Sequence, residues 1–117
     1  MPEAIGYLNE IVIDCLDPTR LATFWAAVLG GAITTRDEAW ATVREPSSGV
    51  LLAFQRVPER KNAKNRLHLD GEVPDLASAV DRSLGLGAAP VGPVVDDSEG
   101  SFQVMLDPEG REFCFVT

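Results

Sequence analysis

Leu8-Asn9-Glu10-Ile11-Val12-Ile13-Asp14-Cys15-Leu16-Asp17-Pro18 is the stretch on which the fold turns. Ile11, Ile13 and Cys15 alternate with Glu10, Val12 and Asp14, so residues 8–15 read as a strand with two unlike faces. Asp17 and Pro18 then supply a helix N-cap and a first-turn proline. Leu21, Phe24, Trp25, Val28 and Leu29 recur at helical spacing until Gly30-Gly31 stops the helix. That spacing assigns Phe24 and Trp25 to the core. Strands follow over residues 32–35, 40–45 and 50–57, separated by Arg36 to Ala39 and by the turn residues Pro46 to Gly49. The first half reads β-α-β-β-β.

The pattern then returns. Residues 66–73 (Arg66 to Val73) form an expected strand with Leu67, Leu69 and Val73 on one face and His68, Asp70 and Glu72 on the other. Pro74 and Asp75 open a second helix with a buried stripe of Leu76, Ala79, Val80, Ser83 and Leu84. Gly85 and Gly87 end it, and strands follow over residues 89–95, 101–107 and 111–116. Four landmarks keep their order: Glu10 with His68, Asp17 with Asp75, Leu29-Gly30-Gly31-Ala32 with Leu86-Gly87-Ala88-Ala89, and Trp40 to Pro46 with Phe102 to Pro108. Self-similarity of this kind marks a duplication, with halves at residues 8–57 and 66–117. The connection, residues 58–65, carries Arg60, Lys61 and Lys64 without periodicity and reads as an exposed linker. Asp17, Asp75 and Asp107 read as cap and turn residues.

With 117 residues, the chain has the size of one domain, residues 1–117; 45% hydrophobic and 24% charged residues are a globular composition. A formal charge of −8 repels phosphate backbones and anionic lipid, which argues against nucleic acid and membrane surfaces as partners. Cys15 and Cys114 each sit in an apolar run without metal-ligand spacing. They read as buried thiols in a reducing compartment, and a disulfide between them stays open. Met1 to Tyr7 lacks a basic start followed by a long apolar stretch, so the expected location is cytoplasmic.

A strand with one polar inward residue, an Asp-Pro-capped helix with Phe24-Trp25 and a Leu-Gly stop form a pattern. Asn65-Arg66-Leu67-His68-Leu69-Asp70 and Asp107-Pro108-Glu109-Gly110-Arg111-Glu112-Phe113-Cys114 complete it. It resembles the glyoxalase/bleomycin-resistance/dioxygenase superfamily, also called vicinal oxygen chelate, over about residues 8 to 117. The resemblance implies an α+β fold of two tandem βαβββ modules. Their curved mixed sheet would form an internal trough for a small organic molecule, with the helices outside. It also implies a homodimer, with the trough built either within one chain or across two.

Enzymes of that superfamily that use a divalent metal take one ligand from the first and one from the fourth strand of each module. The resemblance places these positions at Glu10, at Gln55 or Ala53, at His68 and at Cys114, where a glutamate is usual. Glu10 and His68 are thus the candidate metal ligands. They are also the candidate catalytic pair, since imidazole titrates near neutral pH and exchanges protons readily. A hydrogen-bonded, partly buried His68 paired with Glu10 or Asp70 is the simpler reading. The sequence itself requires no cofactor; the resemblance leaves room for a divalent metal. Glyoxalase-type isomerisation needs a carboxylate base beside the metal, and Cys114 stands in its place. Trp40 and Phe102 occupy matching positions and would wall a flat or apolar ligand. Gln55, Asp70 and Cys114 join them as candidate ligand-binding residues. Metal-free binding or turnover, metal-dependent lyase, isomerase or dioxygenase chemistry, and a noncatalytic regulatory or assembly role are the three functions in play.

Overall fold

The computed structural model describes residue 4, residues 8–65 and residues 67–117. Among these the chain runs β1 (Ile11–Cys15), α1 (Pro18–Leu29), β2 (Ile33–Asp37), β3 (Trp40–Arg44), β4 (Leu51–Arg56), β5 (Asp70–Glu72), α2 (Leu76–Leu84), β6 (Ala89–Asp97), β7 (Gly100–Leu106) and β8 (Glu112–Val116). The α+β fold consists of two four-stranded mixed sheets, ordered β1-β4-β3-β2 and β5-β8-β7-β6. In each, the first strand pairs parallel with the last and the other pairs are antiparallel. Two compact units result, Met1–Pro58 and Glu59–Thr117.

In the first unit α1 forms where the sequence places it. The Asp17 carboxylate accepts from the Arg20 amide at 3.1 Å, and the Gly30 amide closes the last turn on the Ala26 carbonyl at 2.8 Å. Gly31 has φ +102°, and a Cβ there would collide with the Arg44 carbonyl, so only glycine lets α1 return to the sheet edge. α1 packs on β2, β3 and β4. The registers place Ile13, Ala41, Val43, Leu52 and Phe54 on one sheet face, and these residues are buried together with Leu21, Phe24 and Trp25 of the helix. Phe24 and Trp25 meet edge to face at 5.2 Å. Between β3 and β4, the Ser47 and Ser48 hydroxyls, with the Ser48 amide, bind the Glu45 carboxylate and lower its pKa to about 2.

In the second unit α2 packs on β6, β7 and β8. Met105, Phe113 and Phe115 lie in its core, the two phenylalanines edge to face at 5.2 Å. Gln103 shares that buried face, and the β6–β7 register shifts between Val91 and Val95, where Gly92 takes φ +69°. Gln103 Nε2 lies 3.0 Å from the Gly92 carbonyl and 3.3 Å from that of Val91. The amide thus satisfies carbonyls that the irregular ladder releases.

Several elements differ from the sequence reading. β1 begins at Ile11 and not Leu8, which is 72% exposed. The strand expected over residues 66–73 is only β5; Arg66 lies outside the described residues, and Leu67, expected on the apolar face, is 83% exposed. β8 runs back to Glu112, but only its residues Cys114 to Val116 pair with Asp70 to Glu72, and the Glu112 amide donates to the Asn65 side chain instead. Asp75 occupies the N-cap position of α2 without a side-chain cap bond, and Leu84, the last residue of that short helix, is 46% exposed and outside its buried stripe. β6 continues past Val95 to Asp97. The expected disulfide alternative is not formed: Cys15 Sγ donates to the Gln55 carbonyl at 3.7 Å, and Cys114 is an unbridged thiol.

Replacing Gln103 by Leu keeps the volume but leaves the Val91 and Gly92 carbonyls without their donor. A loss of about 1–3 kcal/mol in urea-unfolding stability is expected, with β-sheet circular dichroism retained.

Candidate functional site

Parallel pairing of β5 with β8 sets Asp70 opposite Cys114, and the Cys114 amide donates to the Leu69 carbonyl at 2.9 Å. Antiparallel pairing sets Val104 opposite Cys114 and Phe102 opposite Val116. Phe113 and Phe115 face the core, so Cys114 and Val116 turn to the opposite, open face with Asp70, Phe102 and Val104. On that face lies a cavity of about 370 Å³. Phe102, Val104 and Val116 supply apolar wall; Lys64, Asn65, His68, Asp70, Glu112 and Cys114 supply polar groups. That volume falls near the lower end of ligand pockets, about 300–1,000 Å³.

His68 Nε2 stands 3.2 Å from Asp70 Oδ1, with both side chains about half exposed. One ligand-forming atom each from His68, Asp70 and Cys114 lie within 4.8 Å of one another. Burial raises the Cys114 thiol pKa above its ordinary value, and the Asp70 charge raises it further against the opposing pull of Lys64. The thiol is therefore protonated near neutral pH. Behind the rim, Lys61 Nζ pairs with Glu112 Oε1 at 3.1 Å, where both side chains are about four-fifths buried. The Asn65 amide donates to Glu112 Oε2 at 3.3 Å, and the Glu112 amide donates to Asn65 Oδ1 at 3.0 Å. Burial pushes the Glu112 carboxyl up, but its own amide, Lys61 and the Asn65 amide together hold it below the usual range. Lys61 and Asn65, expected in a solvated linker, are thus tied to the first residue of β8.

The corresponding face of the first unit carries different chemistry. Val12 lies opposite Ala53, Thr42 opposite Ala53, and Trp40 opposite Gln55. Trp40 stands to Gln55 as Phe102 stands to Val116, so the antiparallel registers equate Cys114 with Ala53 and not Gln55. The parallel registers agree, since Val12 pairs with Ala53 as Asp70 pairs with Cys114. Where the second unit has His68, Asp70 and Cys114, the first has Glu10, Val12 and Ala53. Glu10 is half-buried just before β1, and Gln55 is exposed near its end of β4. The Arg36 guanidinium lies 4.9 Å from the Trp40 ring centre, a cation–π contact on that aromatic.

Residues 10–116 match the model of the glyoxalase-like domain. The chain belongs to the glyoxalase-like domain family. No curated protein matches it. Among solved structures it is similar to a glyoxalase/bleomycin resistance protein/dioxygenase family enzyme from Burkholderia phytofirmans PsJN, with TM-score 0.73, 19% identity, and 95% of this chain and 98% of that one covered. It is also similar to the bleomycin-binding protein of Streptomyces verticillus, solved with copper(II)-bleomycin, with TM-score 0.63, 22% identity, and 98% and 97% covered. The fosfomycin resistance protein FosX of Listeria monocytogenes gives TM-score 0.76 at 13% identity, with 97% and 93% covered. At these identities the likeness is one of fold.

The glyoxalase-like frame therefore holds a donor set unlike the one its resemblance to metal-using enzymes implied. Ala53 at the first unit's fourth-strand position offers no ligand atom, and Cys114 replaces a carboxylate by a thiol. An oxygen-rich site for a hard divalent cation does not fit these residues. Of the expected site residues, His68, Asp70, Phe102 and Cys114 converge on the one cavity, and Glu10, Trp40 and Gln55 belong to the first unit. Val104, Val116, Lys64, Asn65 and Glu112 escaped the sequence reading. Val104 and Val116 were readable by two-residue spacing from Phe102 and Cys114; Lys64, Asn65 and Glu112 arrive through a loop contact with no periodic signal.

Iodoacetamide should alkylate Cys114 slowly at pH 7 in a Cys15→Ala background, with the rate rising through a midpoint displaced upward from that of an ordinary thiol. Asp70→Asn removes the like charge and should lower that midpoint, as followed by mass spectrometry across a pH series.

Proposed function

We propose that this glyoxalase-like domain binds a small amphipathic organic molecule on the open face of its second unit and sequesters it without needing metal. The observation that carries this reading is the cavity of about 370 Å³, walled by Phe102, Val104 and Val116 and rimmed by His68, Asp70 and Cys114. A flat or apolar part of the ligand would rest on the wall, gaining about 25 cal/mol for each Å² withdrawn from water. Its polar part would meet the His68–Asp70 pair, whose imidazole and carboxylate offer hydrogen-bonding groups at the cavity rim. The protonated Cys114 thiol supports binding more than nucleophilic attack.

Solved proteins of like fold include one described as bleomycin-binding and others described as fosfomycin resistance proteins, which agrees with compound capture as the role of this face. The homodimer and the cytoplasmic location belong to the same reading. No helix among the described residues is long and apolar enough to cross a membrane.

An anilinonaphthalene sulfonate titration provides the first test. Saturable fluorescence enhancement is expected, weakened at least about tenfold by Val104→Asp, a loss of about 1.4 kcal/mol in binding. Equal affinity in folded wild type and Val104→Asp would remove the pocket as the binding site. Glu10→Ala and Gln55→Ala variants report whether the first unit contributes to the same ligand. Sedimentation velocity should show a species of twice 12.6 kDa, and a monomer at every concentration would refute the dimer.

A further inference from the structure

Both carboxylates that line the cavity of the second unit have a basic partner. Asp70 Oδ1 lies 3.2 Å from His68 Nε2, and Glu112 Oε1 lies 3.1 Å from Lys61 Nζ. Lys64 lines the same cavity, and no ion pair among the described residues includes it. Its charge reaches the Cys114 thiol, where it opposes the effect of Asp70. The protonated thiol adds a weak donor and no competing negative charge. A basic side chain above an apolar wall of Phe102, Val104 and Val116 is the complement of an anion carried on an apolar body.

Neighbours in sequence hold Lys64 in place. Three residues before it, Lys61 is tied to Glu112 of β8. Immediately after it, the Asn65 amide donates to Glu112 Oε2 at 3.3 Å, and Asn65 Oδ1 accepts from the Glu112 amide at 3.0 Å. Asn65 Nδ2 also donates to the Leu67 carbonyl, which fastens the same segment to the approach to His68. Part of the ordering entropy of this rim is therefore spent in folding and not on binding. The exposed Lys64 side chain keeps enough length to follow a ligand's charged head.

Charge balance limits what that head can be. The chain's formal charge of −8 repels anions at a distance, but screening confines the repulsion to about 8 Å at physiological ionic strength. At contact, one ammonium offsets one negative charge, and a second would face Asp70 and Glu112 without a cation of its own. We infer that the cavity takes a flat, apolar organic monoanion of the aromatic carboxylate class, with Lys64 as the residue that selects for the charge. This rests on the pocket reading proposed above and adds to it the charge of the occupant.

Calorimetric titration of the full-length protein with 2-naphthoate, 2-naphthamide and 2-naphthyl phosphate tests the inference, since the ring system is shared and the charge differs. The carboxylate should bind at least about tenfold more tightly than the amide, and the phosphate no more tightly than the carboxylate. Lys64→Gln should bring the carboxylate down to the affinity of the amide and leave the amide unchanged, whereas Lys64→Arg should keep most of the preference. Arg60→Gln, in the same segment but off the cavity wall, should keep all of it. Sodium chloride should weaken binding of the carboxylate and not of the amide. Equal binding of carboxylate and amide by the wild type, a preference that survives Lys64→Gln, an equal loss in Arg60→Gln, or tighter binding of the phosphate would each overturn the inference. The amide, weakened by Val104→Asp, reports the pocket independently of charge, so the pocket reading survives those results. If neither carboxylate nor amide binds the folded protein, the pocket reading falls and this inference with it. Circular dichroism checks folding in every variant.

Discussion

Period-two alternation against a single covering helix is the constraint on which each half depends. A helix shields only one face of its four-stranded sheet, so every second residue is committed to the core and every other one is released from it. In the second unit that division separates Phe113 and Phe115 from Cys114 and Val116 along five residues of one strand. Slippage of β8 by one position would send the thiol inward and a phenyl ring outward. Core and candidate site are thus secured by the same register, and the hydrophobic energy that stabilises one also positions the other.

The two halves share this frame and have spent it differently. Equivalent pairings bring Ala53 to the place of Cys114, Val12 to that of Asp70 and Gln55 to that of Val116, while Trp40 and Phe102 keep an aromatic at the same point. A duplicated backbone conserves geometry; it does not conserve donors. The polar chemistry has concentrated on the second copy, whereas on the first the arginine above Trp40 has made an aromatic–cation surface.

Most of the fold could be read from residue order because its signals are local. Asp17-Pro18, Gly30-Gly31 and the alternation around Ile13 each determine structure within a few residues, and among the described residues the helices and strands follow in the expected order, with β1 and β5 shorter than read. What escaped is non-local. β5 is short where the Glu112 amide of β8 is taken by the Asn65 side chain, a contact that the alternation of residues 66–73 does not encode. The choice between Ala53 and Gln55 needed paired registers, because both occupy one face of one strand. Gln103 reads as an ordinary strand residue until the irregularity in its neighbour reveals which carbonyls require it. Asp70 was readable as a companion of His68 by spacing alone, but its proximity to Cys114 is a fact of strand pairing.

Glu112 holds one carboxylate in two employments, as anchor for Lys61 and Asn65 and as part of the cavity rim. An occupant that competes for that carboxylate would loosen the segment that Lys61 and Asn65 tie to β8. The Asn65 amide, which donates to that carboxylate, is the backbone group just upstream of His68 through which a change at the rim would reach the incoming segment.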